Sequence, residues 1–206
     1  MDPVEFIFVL GILVFSVIAH EISHGYMAEY LGDPTARLAG RLTLNPIPHI
    51  DLFGSIILPA LMAVLNTGFI IGWAKPVPYN PYNLSRPRFG GALVALAGPL
   101  SNLALAVSFG LLIRFSSAIG LSETFIYLAS FVVLINCLLA FFNLLPIPPL
   151  DGSKILFAFL PYHFEYFQGF LERYGFFILI FTILFLWRFL VPVPFFLFKV
   201  ITGVAF

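Results

Sequence analysis

Charged residues are scarce in this 206-residue chain: they make up 10% of it, whereas hydrophobic residues make up 61%. Soluble globular proteins carry about 25% charged residues, and so few charges do not cover a water-exposed surface. Ten Lys and Arg balance ten Asp and Glu, which leaves no basic excess to bind nucleic acid. The composition therefore predicts a polytopic membrane protein whose surroundings are the lipid bilayer, with no nucleic acid among its partners.

Cysteine is almost absent as well. The chain has one cysteine, Cys137, which excludes a disulfide framework and a cysteine-bound metal cluster. The N-terminus lacks the cationic segment and the small-residue cleavage site that mark a signal peptide. We therefore expect the first hydrophobic run to be kept as a membrane span.

Hydrophobic runs are abundant, and their lengths predict the architecture. A helix needs about 20 largely apolar residues to cross about 30 Å of hydrocarbon. Four runs are long enough, at residues 4–31, 91–115, 124–145 and, interrupted by one arginine and two prolines, 175–198. The sequence therefore predicts an all-α polytopic membrane protein with about four transmembrane helices, forming a single integral-membrane domain over residues 1–206.

Other segments have less regular patterns. Residues 52–72 are long enough to span but contain glycine, proline and asparagine, which suit a re-entrant hairpin at least as well as an extra span. Residues 153–171 carry several polar side chains, and we expect a short helix there, followed by an interfacial segment. Alternating stretches at residues 41–44 and 73–79 are typical of strands, and they predict a small membrane-edge β-sheet.

Residues 20–24, His-Glu-Ile-Ser-His, form an H-E-x-x-H motif inside the first hydrophobic run. At about 100° per residue, His20 and His24 lie about 40° apart on one helix face, so both imidazoles can bind a single zinc ion. Glu21 is offset by about 100°, which directs its carboxylate to a water beside the metal. This is the geometry of a general base in a metalloprotease.

Chance and simple burial are the competing explanations of the motif. Chance produces it only on the order of 0.004 times in a chain of this length and composition. A charged residue near the centre of a membrane helix also costs about 2.5 to 3.5 kcal/mol on insertion scales, so such residues usually mark a functional site. The motif therefore favours a zinc site.

A third metal ligand is required, because a catalytic zinc site has three protein ligands and one position open to water. Asp151 follows a segment whose three prolines, at 146, 148 and 149, exclude regular helix. Extended backbone is tolerated at membrane depth only where it lines a protein or water cavity, which would place Asp151 in a cavity wall as a ligand. The alternative is that Asp151 caps the helix that starts at Gly152.

These two motifs together resemble the site-2 protease family of intramembrane zinc metalloproteases. Besides H-E-x-x-H, residues 143–152 read N-x-x-P-x-P-x-x-D-G, and residues 98–102 match a further segment of that family. Residues 44–46 and 72–78 resemble its compact prokaryotic branch, which has no PDZ insertion and no C-terminal regulatory domain. The resemblance implies that His20, His24 and Asp151 bind one Zn²⁺ per chain and that Glu21 is the general base.

The resemblance also implies how the substrate is handled. Asn143, with Asn102 as a second candidate, would hydrogen-bond the substrate backbone or the developing oxyanion. The implied activity is endoproteolysis of transmembrane or juxtamembrane segments of membrane proteins, in regulated intramembrane proteolysis at the cell membrane of a prokaryote. A zinc-binding membrane transporter or sensor without proteolytic activity is the alternative, although it has no use for Glu21.

The distribution of cations predicts the orientation in the membrane. If residues 52–72 are re-entrant, one side of the bundle carries six cations, namely Arg37, Arg41, Lys75, Arg86, Arg88 and Lys154. The N-terminus carries only Asp2 and Glu5. By the positive-inside rule, the cationic side is cytoplasmic, and the active site faces it. A full span at 52–72 would divide the cations between the two sides.

Overall fold

The computed structural model describes residues 2–65, 72–204 and 206. Its main helices are α1 (Pro3–Tyr30), α2 (Leu58–Val64), α3 (Pro87–Arg114), α4 (Glu123–Asn143), α5 (Asp151–Phe159), α6 (Glu165–Phe181) and α7 (Pro192–Thr202). Wide helical turns at Leu52–Ile57 and Thr182–Leu186 lead into α2 and out of α6, and a short helix, Trp187–Leu190, follows. Shorter helical turns lie at Thr35–Leu38, Ile47–His49, Pro81–Asn83, Ser116–Ile119 and Tyr162–Phe164.

Among the described residues, four helices are long and apolar enough to cross a membrane, at Pro3–Tyr30, Arg88–Arg114, Glu123–Asn143 and Glu165–Leu190. This confirms the predicted helical class and number of spans, and the protein is an integral membrane protein. The fourth span begins earlier than the sequence predicted, at Glu165 in place of residue 175. Pro192 does not kink that span: it begins α7, because proline fits the first turn of a helix.

Helices α1 and α4 run parallel, and α3 packs against both of them in the opposite direction. Near the start of α1 and of α4, the Tyr127 hydroxyl donates to Glu5 Oε1 at 2.7 Å. Further along both helices, Asn136 Nδ2 donates to Ser16 Oγ at 2.9 Å. The parallel arrangement brings the chain that follows α4 to the depth of the H-E-x-x-H turn.

The start of the segment at 52–72 lies beside Trp73, the residue that follows this segment. The Trp73 N–H donates to the Gly54 carbonyl at 3.2 Å, and the Ser55 hydroxyl donates to the Trp73 carbonyl at 2.8 Å. Helix α2 is about 10 Å long at 1.5 Å per residue, too short to cross the bilayer. These contacts agree with a re-entrant hairpin, while residues 66–71 of the predicted segment lie outside the described residues.

The predicted membrane-edge β-sheet was wrong, since no strand occurs among the described residues. The two polar strips do meet: the Lys75 N–H donates to the His49 carbonyl at 2.9 Å, and Arg41 Nη2 donates to the Lys75 carbonyl at 2.6 Å. Prolines at positions 76 and 78 remove the N–H donors on one side of the second strip, so a ladder of hydrogen bonds cannot form along that side. On the other side, the Val77 N–H donates to the Glu21 carboxylate and not to a strand.

Candidate metal centre

The H-E-x-x-H turn of α1 faces the start of α5. The Nε2 atoms of His20 and His24 lie 3.1 and 3.2 Å from the same carboxylate oxygen, Oδ2 of Asp151. The three residues are buried, and the two imidazole rings are nearly perpendicular, with centroids 4.6 Å apart. Residues 131 positions apart in sequence therefore direct three potential ligand atoms to one point.

The outer nitrogens of both imidazoles are held by α3. His20 Nδ1 lies 2.7 Å from Asn102 Oδ1, and His24 Nδ1 lies 2.6 Å from the Val94 carbonyl oxygen. Both partners are acceptors, so each Nδ1 carries the proton and donates it. The Nε2 lone pairs are then free for a metal, which is the usual tautomer of histidine ligands.

Two glycines provide the room that these ligands occupy. A Cβ at Gly98 would lie 2.5 Å from Cε1 and Nε2 of His24 and 2.6 Å from Cε1 of His20. A Cβ at Gly152 would collide with the Leu144 carbonyl oxygen, where the start of α5 meets the end of α4. A larger residue at Gly98 would therefore displace a histidine ring, and one at Gly152 would push α5 away from the end of α4.

Asp151 is the first residue of α5, and Leu150, not Asp151, occupies the N-cap position. Its Oδ1 atom lies 3.5 Å from Nζ of Lys154, one turn further along the helix. The Asp151 carboxylate is thus directed at the histidines, as a metal ligand would be.

The donor set fits zinc. Two imidazole nitrogens and one carboxylate oxygen, with a fourth position open, are a common combination in catalytic zinc sites. A ligand oxygen of Glu21 lies within 4.8 Å of the ligand atoms of His20 and His24, close enough for a base beside the metal. The residues that the sequence predicted as ligands and base are therefore brought together, although their roles stay predictions.

The predicted substrate-binding asparagines have other partners. Asn102 is fully buried; its Oδ1 faces His20, and its Nδ2 donates to Asn136 Oδ1 at 2.9 Å. Both ends of its amide group thus have partners within the protein, and its predicted contact with the substrate stays untested. Asn143 Nδ2 donates to the carbonyl of Leu139 in its own helix at 3.0 Å, and its predicted role stays untested.

Asn136 and Lys154 belong to this site, but the sequence-based interpretation gave neither a role in it. Asn136 donates to Ser16 and accepts from Asn102, which continues the hydrogen-bond network behind His20. A strongly polar side chain in the middle of a hydrophobic run was the available signal, because polar groups inside a membrane need partners.

Comparisons with known proteins identify the family. The sequence profile described as Peptidase family M50 matches residues 117–186, which include the D-G motif. Three similar proteins are each named "Putative zinc metalloprotease": YwhC of Bacillus subtilis, Rip2 of Mycolicibacterium smegmatis and MJ0611 of Methanocaldococcus jannaschii.

The Bacillus relative is 40% identical over 183 residues, covering 84% of this chain and 77% of its own length. The Mycolicibacterium relative is 32% identical over 73% of this chain and 56% of its own length. The Methanocaldococcus relative is 46% identical over 31% of each chain. No solved structure gives a significant match. The chain therefore belongs to peptidase family M50, the site-2 protease family, and is a zinc metalloprotease.

Proposed function

We propose that this protein is an intramembrane endopeptidase that cleaves a peptide bond within or beside a transmembrane helix of another membrane protein. The observation that carries the proposal is the position of the site: His20, Glu21 and His24 lie inside a 28-residue membrane helix, and Asp151 meets them there. A protease for soluble substrates has no need to bury its ligands within a span. The proposed setting is regulated proteolysis in the cell membrane of a prokaryote.

The ligand residues His20, His24 and Asp151 would hold one zinc ion. When bound, zinc lowers the pKa of water and polarises the scissile carbonyl group. Glu21 takes the proton of the attacking water and returns it to the leaving amine, while Asn102 keeps His20 in its ligating tautomer. The Asn143 side chain is proposed to give up its hydrogen bond to the Leu139 carbonyl and to bind the opened substrate backbone instead.

The cations favour a cytoplasmic active site. Trp73 returns beside Gly54, and Arg41 contacts Lys75, so the two cationic strips share one end of the bundle. Arg88 donates a hydrogen bond to the Leu160 carbonyl at the same end. By the positive-inside rule, this end faces the cytoplasm, from which water would reach the site.

A cleavage assay tests the proposal. The purified protein in detergent is incubated with single-span membrane proteins, with and without a chelator, and compared with Glu21→Gln. We expect chelation to stop cleavage, and Glu21→Gln to keep zinc and lose turnover. The matched control is Glu29→Gln, because Glu29 lies two turns further along α1 in an ion pair with Arg37 at 2.8 Å. Full cleavage by Glu21→Gln would show that the cleavage does not come from this site, which would remove the protease proposal in favour of a zinc-binding transporter or sensor.

A further inference from the structure

The carboxylate of Glu21 is held from outside its own helix. Its Oε2 atom accepts a hydrogen bond from the backbone N–H of Val77 at 2.9 Å. Val77 is 6% exposed and lies between Pro76 and Pro78. Since proline has no N–H, Val77 supplies the only backbone donor of this three-residue segment.

The segment around Val77 is fixed on both sides. Before it, the Lys75 N–H donates to the His49 carbonyl at 2.9 Å. After it, the Asn80 N–H donates to Asp33 Oδ2 at 2.6 Å. A Cβ at Gly25, one turn beyond Glu21, would lie 3.0 Å from Cγ1 of Val77, so the side chain of Val77 packs against α1. The donor therefore cannot drift away from the carboxylate.

We propose that Val77, through its backbone N–H, is a positioning residue for Glu21. A glutamate side chain has three rotatable bonds and samples several rotamers unless a partner selects one. The Val77 N–H occupies Oε2, which leaves Oε1 to accept the proton of the attacking water. The water oxygen bonds to the carbonyl carbon, the C–N bond breaks, and Oε1 gives the proton to the amine. The inference rests on the proposed function, since only a base requires this orientation.

The test removes one hydrogen-bond donor, the backbone N–H of Val77, and leaves all side chains intact. In the full-length chain, the amide between Pro76 and Val77 is replaced by an ester, which lacks the N–H donor. The matched control is the same exchange at Tyr79, whose N–H donates to no residue in the described part of the chain. Val77→Pro removes the same donor genetically.

We expect the Val77 ester and Val77→Pro to lower kcat by about 10- to 100-fold, because misplacement of a catalytic group by about 1 Å has effects of this order. KM, zinc content and the temperature of unfolding should stay at wild-type values, and the Tyr79 ester should keep kcat. If Val77→Pro does not fold, the ester decides.

Two results would overturn the inference. An unchanged kcat in the Val77 ester would show that the contact does not position the base. A raised kcat would show that the segment blocks the site instead. Both are judged beside wild type and Glu21→Gln in the same assay. If wild type cleaves nothing, the proposed function fails and the inference fails with it; if wild type and ester cleave equally, only the inference fails.

Discussion

At the scale of single residues, the proposed zinc ligand His20 depends on Asn102, which faces its Nδ1 atom and not the metal position. Asn102→Ala removes the acceptor of the His20 Nδ1–H and the donor to Asn136. Loss of such a support typically costs 10- to 100-fold in metal affinity, and we expect that loss here. Competition with a chromophoric chelator measures it. Ser108→Ala is the control, because that hydroxyl bonds only to its own helix at Ala104; an unchanged affinity in Asn102→Ala would contradict the supporting role.

Gly98 supports the same site by leaving room for the two histidine rings. Gly98→Ala would place a methyl group 2.5 Å from the His24 ring and 2.6 Å from the His20 ring, so that the rings or the helix must shift. We expect this variant to lose most of its zinc and its proteolytic activity. Gly91→Ala in the same helix should keep both, since a Cβ at Gly91 meets nothing within 4 Å. Zinc content per chain, measured on both purified variants, distinguishes crowding of the site from a general effect on the helix; equal zinc in the two would refute the packing argument.

At the scale of elements, Asp33 links the end of α1 to the strip before α3. This fully buried carboxylate accepts hydrogen bonds from the Thr35 hydroxyl at 2.5 Å, the Asn80 N–H at 2.6 Å and the Asn83 side chain at 2.8 Å. Burial acts to raise the pKa of Asp33, but these hydrogen bonds outweigh it and hold the pKa below its usual value. The linkage is therefore strongest while Asp33 is ionised.

The lowered pKa gives the pH dependence a definite sign. The contribution of Asp33 to stability is complete above its unfolded pKa of about 3.9 and is lost as pH falls through the lower folded value. Asp33→Asn should therefore destabilise the protein at pH 7, by about 1 to 3 kcal/mol, and progressively less below about pH 4. Thermal unfolding in detergent across this range measures the difference. A deficit that stays constant with pH would show that ionisation of Asp33 plays no part.

At the scale of the whole molecule, the re-entrant segment decides the topology. Single cysteines are placed at three exposed positions, Val4, Leu38 and Tyr82, in a Cys137→Ser background. A membrane-impermeant thiol reagent added outside intact cells should label Val4→Cys and leave Leu38→Cys and Tyr82→Cys unlabelled until the membrane is opened. The reason is that residues 38 and 82 lie in strips that meet at one end of α1. Opposite accessibility of Leu38→Cys and Tyr82→Cys would mean that residues 52–72 cross the bilayer.

The sequence by itself determined the features that depend on short-range spacing or on length. Four hydrophobic runs predict a polytopic membrane protein, because about 20 apolar residues are needed per span. The interval between His20 and His24 places both on one helix face, because the helical period is local. The prolines at 146, 148 and 149 exclude regular helix before Asp151, which is also a local effect.

Only the tertiary structure decided which groups hydrogen-bond to the predicted ligands and to the predicted base. The acceptors for the two histidines, at Asn102 and Val94, lie 82 and 70 residues away, and the donor to Glu21 lies 56 residues away. No periodicity records such distances, because they arise when α3 and the strip that contains Val77 pack against α1. The predicted sheet is absent from the described residues for the same reason. Residues 73–79 alternate as a strand does, but the prolines have no N–H to donate, and the N–H groups of Lys75 and Val77 bond to His49 and Glu21 in other elements.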